Sequence, residues 1–96
     1  MYAHVNIWRL AEAGAATDDT ASREIGTELS KQPGFRSYTL VRSGPREVVA
    51  VTVFDDRDHL ERAMASVAQF VRERVSGLVE GEPERRAGDV LYHTAA

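Results

Sequence analysis

The chain has no cysteine, three prolines, one tryptophan and only 7% aromatic residues among its 96 positions. Without cysteine there can be no disulfide framework, thiolate zinc site or iron–sulfur cluster. Long apolar runs are also missing. The longest is Val48 to Val51, against the roughly 20 residues that a membrane-spanning helix needs. The N-terminus lacks a basic stretch followed by an apolar one, so no signal peptide is expected and a cytoplasmic location follows. Positive charge is not in excess. Twelve basic residues face fifteen acidic ones for a net charge of −3, and glutamates are interleaved with both basic clusters, Arg72/Arg74 and Arg85/Arg86. Neither nucleic acid nor a membrane is expected as a partner. A domain this small buries only about 60 to 65% of its unfolded surface. The remaining supports are a well-packed idealised fold or a second subunit.

What is present reads as one domain over residues 1–96. Tyr2 to Leu10 is rich in β-branched and aromatic residues and predicts a strand. Period 2 sets Tyr2, His4, Asn6 and Trp8 on one face and Ala3, Val5 and Ile7 on the other. After a small-residue loop containing Gly14, Thr17 offers an N-cap, with Asp18 and Asp19 on the first turn. Ala21, Ile25 and Leu29 recur as one stripe of a helix, which Pro33-Gly34 stops. Gly26 weakens that helix by up to about 1 kcal/mol. Phe35 to Ser43 is a second strand, Ser43-Gly44-Pro45-Arg46 a turn, and Glu47 to Phe54 a third strand that is apolar on both faces. A second helix, capped by Asp55 or Asp56, keeps its apolar spacing to Val75 and stops at Gly77. Asp89 to Thr94 alternates again and predicts the last strand.

The order β-α-β-β-α-β is the ferredoxin-like, α+β arrangement of a four-stranded antiparallel sheet with two helices on one face. Its strand order is 4-1-3-2, with the doubly apolar third strand central. The face away from the helices should be polar in a monomer. Here both faces carry apolar residues, so a second layer is needed, and a homodimer with sheets face to face is the simplest. Alternation alone leaves open whether the Asn6 row faces the helices or that second copy.

The segment Pro33-Gly34-Phe35-Arg36-Ser37-Tyr38, followed by a hairpin and by Val49-Ala50-Val51-Thr52-Val53-Phe54-Asp55-Asp56-Arg57-Asp58-His59-Leu60, resembles the antibiotic-biosynthesis-monooxygenase-like group of the dimeric α/β-barrel superfamily. Members typically show Pro-Gly-Phe after the first helix and an apolar third strand ending in an aromatic, usually Trp. The resemblance implies a dimeric α/β barrel with a pocket between sheet and helices. It also implies oxygenases that need no metal or flavin and act on an electron-rich phenol or anthrone with O2. In the haem-degrading branch an Asn on strand one, a Trp closing strand three and a His on the second helix form the site. Asn6 matches, but Phe54 replaces the Trp and His59 lies at the wrong end of the helix. The resemblance therefore does not extend to haem degradation.

The candidate catalytic residues are Asn6, Trp8, His4 and Tyr92. Asn is depleted in strands, and its buried amide needs partners. Asn6 can donate to a substrate oxyanion, or be satisfied across a dimer seam or by water. Trp8 offers an aromatic wall and an N–H donor, or a core anchor. His4 and His93 sit on strands expected to be adjacent, and a neutral His is a natural general base. Two histidines could also begin a metal site, but no third ligand is evident and no metal is assigned. Tyr92 could move a proton or pack across strands. Tyr38, Phe54, Met64 and His93 are the candidate ligand contacts, with core packing as the alternative for Met64. At most one of Arg72 and Arg74 can turn into a pocket, because they lie about 200° apart around the helix. Two readings follow: a cofactor-independent monooxygenase acting on an aromatic or polyketide-type phenol, or a non-catalytic dimeric small-ligand-binding or accessory protein of the same fold. An isomerase using a His base is a third.

Overall fold

The third strand, Glu47–Phe54, is the axis of the sheet because its β-branched residues fit a surface covered on both sides. The computed structural model describes residues 1–12 and 20–96. It contains β1 (Tyr2–Arg9), α1 (Thr20–Ser30), β2 (Phe35–Gly44), β3 (Glu47–Phe54), α2 (Arg57–Val75) and β4 (Glu84–Asp89). The four strands form one antiparallel sheet in the order β2-β3-β1-β4, as the sequence pattern predicts. The expected cap at Thr17, the acidic first turn at Asp18 and Asp19 and the loop at Gly14 lie outside the described residues.

Register decides which side chains share a face. Across the sheet, Tyr38 pairs with Thr52, Thr52 with His4, and His4 with Ala87. The next row on the same face is Leu40, Ala50, Asn6 and Arg85. The one after that holds Arg42, Val48 and Trp8. On β3 the residues of this face, Val48, Ala50, Thr52 and Phe54, are buried, whereas Val49, Val51 and Val53 are only half-buried. The helices therefore cover the Asn6 row, which settles the face that alternation left open. The opposite face presents Ala3, Val5, Ile7, Val49, Val51 and Val53, all partly exposed.

The hydrophobic core joins Ile25 and Leu29 of α1, Leu60, Ala63 and Val67 of α2, and Phe54 of β3. Phe54 is fully buried and meets Phe35 edge to face, with centroids 5.6 Å apart. Two glycines let these layers close. Gly34 has φ +80°, and a Cβ there would stand 2.6 Å from Cγ of His59. Gly26 lets α1 approach the Tyr38 ring, which would lie 3.3 Å from an added Cβ. Asp56, not Asp55, caps α2: its side chain accepts from the His59 backbone N–H at 2.8 Å. Asp55 instead pairs with Arg36. At the other end Ser76 N–H donates to the Arg72 carbonyl at 3.1 Å and Gly77 turns the chain with φ +81°.

The last strand differs from expectation. β4 is Glu84–Asp89, five residues earlier than the alternating stretch Asp89 to Thr94. The cause is pairing, not propensity. Tyr2 is opposite Asp89, and Val90 N–H still donates to the Met1 carbonyl at 2.9 Å. Beyond Val90 there is no β1 left to pair with. The register is held from the other side, where Leu10 bridges Val79. Arg46 clamps that junction: its Nε donates to the Leu10 carbonyl at 3.0 Å, and its Nη2 pairs with Glu80 at 2.7 Å. As an edge strand β4 is exposed throughout and carries four charged residues in six, which discourages further pairing.

Candidate functional site

The core fills the Phe54 end of the helix-covered face, and the rest of that face floors a cavity of about 520 Å³. That is within the range of small-molecule pockets. β1 supplies His4, Asn6 and Trp8, β2 supplies Tyr38 and Leu40, and β3 supplies Val48, Ala50 and Thr52. Helices α1 and α2 wall it with Ile25, Leu29, Met64, Val67 and Val71, and the segment after α2 forms its rim. Small and apolar residues dominate, with a few polar groups converging from adjacent strands.

Five expected site residues are thus brought together: His4, Asn6, Trp8, Tyr38 and Met64. Three are not. Phe54 lies on the right face but belongs to the core and does not line the cavity. Tyr92 and His93 follow the end of β4 and are exposed, Tyr92 by 83%. The residue opposite His4 on β4 is Ala87, so the expected His4–His93 pair does not form. This correction has the same cause as the displaced strand.

Two polar atoms on the floor are buried without a hydrogen-bond partner: Nδ1 of His4 and Oδ1 of Asn6. Buried polar atoms are nearly always partnered. Both belong to residues that line the same cavity, two apart on one strand, so they are the polar groups of its floor that the described residues leave without a partner. Burial pushes the His4 imidazole below its ordinary pKa, and the charge of Arg85 pushes in the same direction. His4 is therefore neutral at physiological pH and able to accept a proton. Burial raises the Tyr38 hydroxyl above its usual value, so it stays protonated.

Sequence reasoning missed Thr52 and Arg85, which also line the cavity. Thr52 is 5% exposed and sits between Tyr38 and His4. Its period-2 position in an otherwise apolar strand was the available signal. Of the two helix arginines, Arg72 reaches the cavity, while Arg74 pairs with Glu24 and stacks 4.2 Å from the Phe70 ring centroid.

A ferredoxin-like sheet with two helices closing a mostly apolar cavity of small-molecule size defines the class: an α+β protein with a pocket between sheet and helices. The family model for antibiotic biosynthesis monooxygenase matches residues 1–69, and the chain belongs to that family. Among solved structures, it resembles SnoaB, a cofactor-independent oxygenase from Streptomyces nogalater. The identity is 21% over 96% of this chain and 94% of that one, with a TM-score of 0.79. It is also similar to the ActVA-Orf6 monooxygenase of Streptomyces coelicolor, in complex with nanaomycin D. There the identity is 16% over 99% of this chain and 91% of that one, with a TM-score of 0.80. A putative antibiotic biosynthesis monooxygenase from Nitrosomonas europaea has 14% identity over 96% of this chain and 100% of that one, with a TM-score of 0.79. At these identities the likeness shows the fold. No curated protein sequence matches. No helix among the described residues is long and apolar enough to cross a membrane.

Proposed function

We propose that this protein is a small cofactor-independent oxygenase that acts on an aromatic, polyketide-type phenol with O2. The observation that carries the reading is the pair of orphaned polar atoms on His4 and Asn6 in an apolar cavity. SnoaB, similar in fold, is a cofactor-independent oxygenase, and the ActVA-Orf6 structure holds nanaomycin D.

Neutral His4 takes a proton from the ligand, leaving a phenolate-type anion. The Asn6 amide stabilises that oxyanion in a site with little water, where a hydrogen bond is worth more. The apolar walls hold the ring system, and Trp8 adds an aromatic face. The anion reduces O2, its carbon forms a bond to one oxygen, and the returned proton completes a hydroperoxide. Loss of water breaks the O–O bond and leaves a new carbonyl. In sum, a ring methylene and one molecule of O2 become a carbonyl and one molecule of water. The ligand carbon is oxidised and O2 is reduced, with one oxygen atom in the carbonyl and the other in the water. Both methylene hydrogens leave with that water.

The test is oxygen uptake with an anthrone, with the quinone product identified by absorbance. Asn6→Ala is expected to lower kcat by about 100-fold or more, as loss of one oxyanion donor does. Thermal stabilisation by the anthrone without oxygen uptake would mark a binding protein and refute the oxygenase.

The working unit in this reading is a homodimer. Among the described residues no helix covers the half-buried apolar outer face of β1 and β3, and a second copy of the same face is self-complementary. Light scattering at micromolar concentration is expected to give twice the 10.6 kDa chain mass, and a monomer mass would refute it.

A further inference from the structure

The cavity has a charged side that the chemistry above does not use. Arg85 is opposite Asn6 across the β1–β4 ladder, so it points to the same face, and it lines the cavity. It is also exposed, which puts its guanidinium at the mouth, with the orphaned groups of Asn6 and His4 deeper in. Its neighbour Arg86 is on the other face and is paired with Glu84 at 2.6 Å. Arg85 has no such carboxylate among the described residues. Arg72 stands on the α2 side of the same cavity, with its Nη1 3.5 Å from the Gln69 side chain and no carboxylate paired with it among the described residues. Among the described residues Glu82 on the rim is the one carboxylate lining the cavity, beside the two arginines.

We propose that Arg85 is a specificity-determining residue: its guanidinium takes a carboxylate on the outer end of the ligand, so that the cavity selects aromatic acids over neutral phenols. This rests on the reading of the cavity as an aromatic-ligand site. The division of labour follows from depth. The apolar walls take the rings, the phenolic end lies against His4 and Asn6, and the acid end stays at the mouth. There a planar guanidinium fork matches a carboxylate in two parallel hydrogen bonds. A positive charge at the mouth also draws anionic ligands in from solution. Its field at His4 is consistent with that placement.

The experiment uses the full-length protein and two probes that differ in one group, 6-hydroxy-2-naphthoate and its neutral carboxamide, with Kd from calorimetry at low salt. The carboxylate is expected to bind about tenfold more tightly than the carboxamide, the equivalent of one charge-assisted contact. In Arg85→Gln that preference disappears. In Arg85→Lys, which keeps the charge and loses the fork, part of it remains. Asn6→Ala weakens both probes alike. Equal binding of the two probes by the unaltered protein overturns the proposal, and so does a preference that survives in Arg85→Gln. Equal weakening of both probes in Arg85→Gln also overturns it, since Arg85 would then face the phenolic oxygen. Absence of binding by either probe overturns the cavity reading itself, a result distinct from binding without preference.

Discussion

Replacing Asn6 by Leu should make this protein more stable and less able to bind its ligand. Oδ1 of Asn6 is buried and unpartnered, and an unsatisfied buried polar group costs about 1–3 kcal/mol. Leu is of broadly similar size and has no polar atom, and its neighbours in the cavity include Ala50, Leu40 and Trp8. Asn6 is only half-buried as a residue, so the gain falls in the lower part of that range, about 1–2 kcal/mol. For a domain this size that corresponds to a rise in Tm of roughly 5–10 °C. The measurement is a thermal melt at fixed protomer concentration, because self-association makes Tm concentration-dependent, paired with ligand binding by calorimetry. A structural Asn, satisfied by water or by a partner subunit, gives the opposite result, because its partner would be stranded. A melting temperature at or below that of the unaltered protein would therefore refute the argument that Asn6 is held unsatisfied for a ligand. Gained stability with lost binding is the pattern of a functional site.

Other expectations are as direct. Gly34→Ala combines a left-handed backbone costing about 1–2 kcal/mol with a 2.6 Å approach to the His59 ring. The His59 Cβ would itself stand 2.8 Å away, so urea titration should show a smaller loss when the same change is made in His59→Gly, and equal losses would remove the steric contribution. Acidification should destabilise the protein through His4. Its folded pKa is lowered below 6.5, so the unfolded chain binds more protons between the two values. That contribution is fully present above pH 6.5 and is lost as pH falls through the folded value. His4→Gln should flatten this part of the Tm profile, and an unchanged slope would assign the effect to other groups. Phe54→Trp should overpack a fully buried site and cost about 1–3 kcal/mol in chemical denaturation, with ligand affinity unaltered.

The sheet was legible because its period-2 strands are long and its turns carry Gly34 and Gly44-Pro45. β3 and the Gly77 stop fall where pattern alone puts them. β4 was not legible, since Glu-Arg-Arg-Ala-Gly-Asp has almost no strand propensity and is extended only because β1 pairs with it. The apolar Val90, Leu91 and Tyr92 looked more strand-like but lie past the end of β1. One five-residue displacement thus accounts for several site errors at once. It put Tyr92 and His93 into the site and left Arg85 out, since the pattern placed that residue before the last strand. The β1 part of the site needed no such long-range information. Asn6 in mid-strand is a local anomaly, and register alone then joined it to Thr52, Tyr38 and Arg85.

Phe54 bears on the choice between an oxygenase and a protein that has only kept the barrel. Against the resemblance, Phe in place of the usual Trp reads as a lost donor and favours a non-catalytic protein. In this structure the position is fully buried, packed edge to face on Phe35 and inside the cluster of Leu29, Leu60 and Ala63. A side chain there reaches no ligand, so exchanging an indole for a phenyl removes no donor from the cavity. The groups that do face the cavity, His4 and Asn6, keep both a neutral base and an amide whose partners the protein does not supply. A binding site also keeps a few polar groups open for its ligand, so the two unsatisfied atoms argue for a ligand in this cavity, and oxygen uptake is what separates catalysis from binding alone.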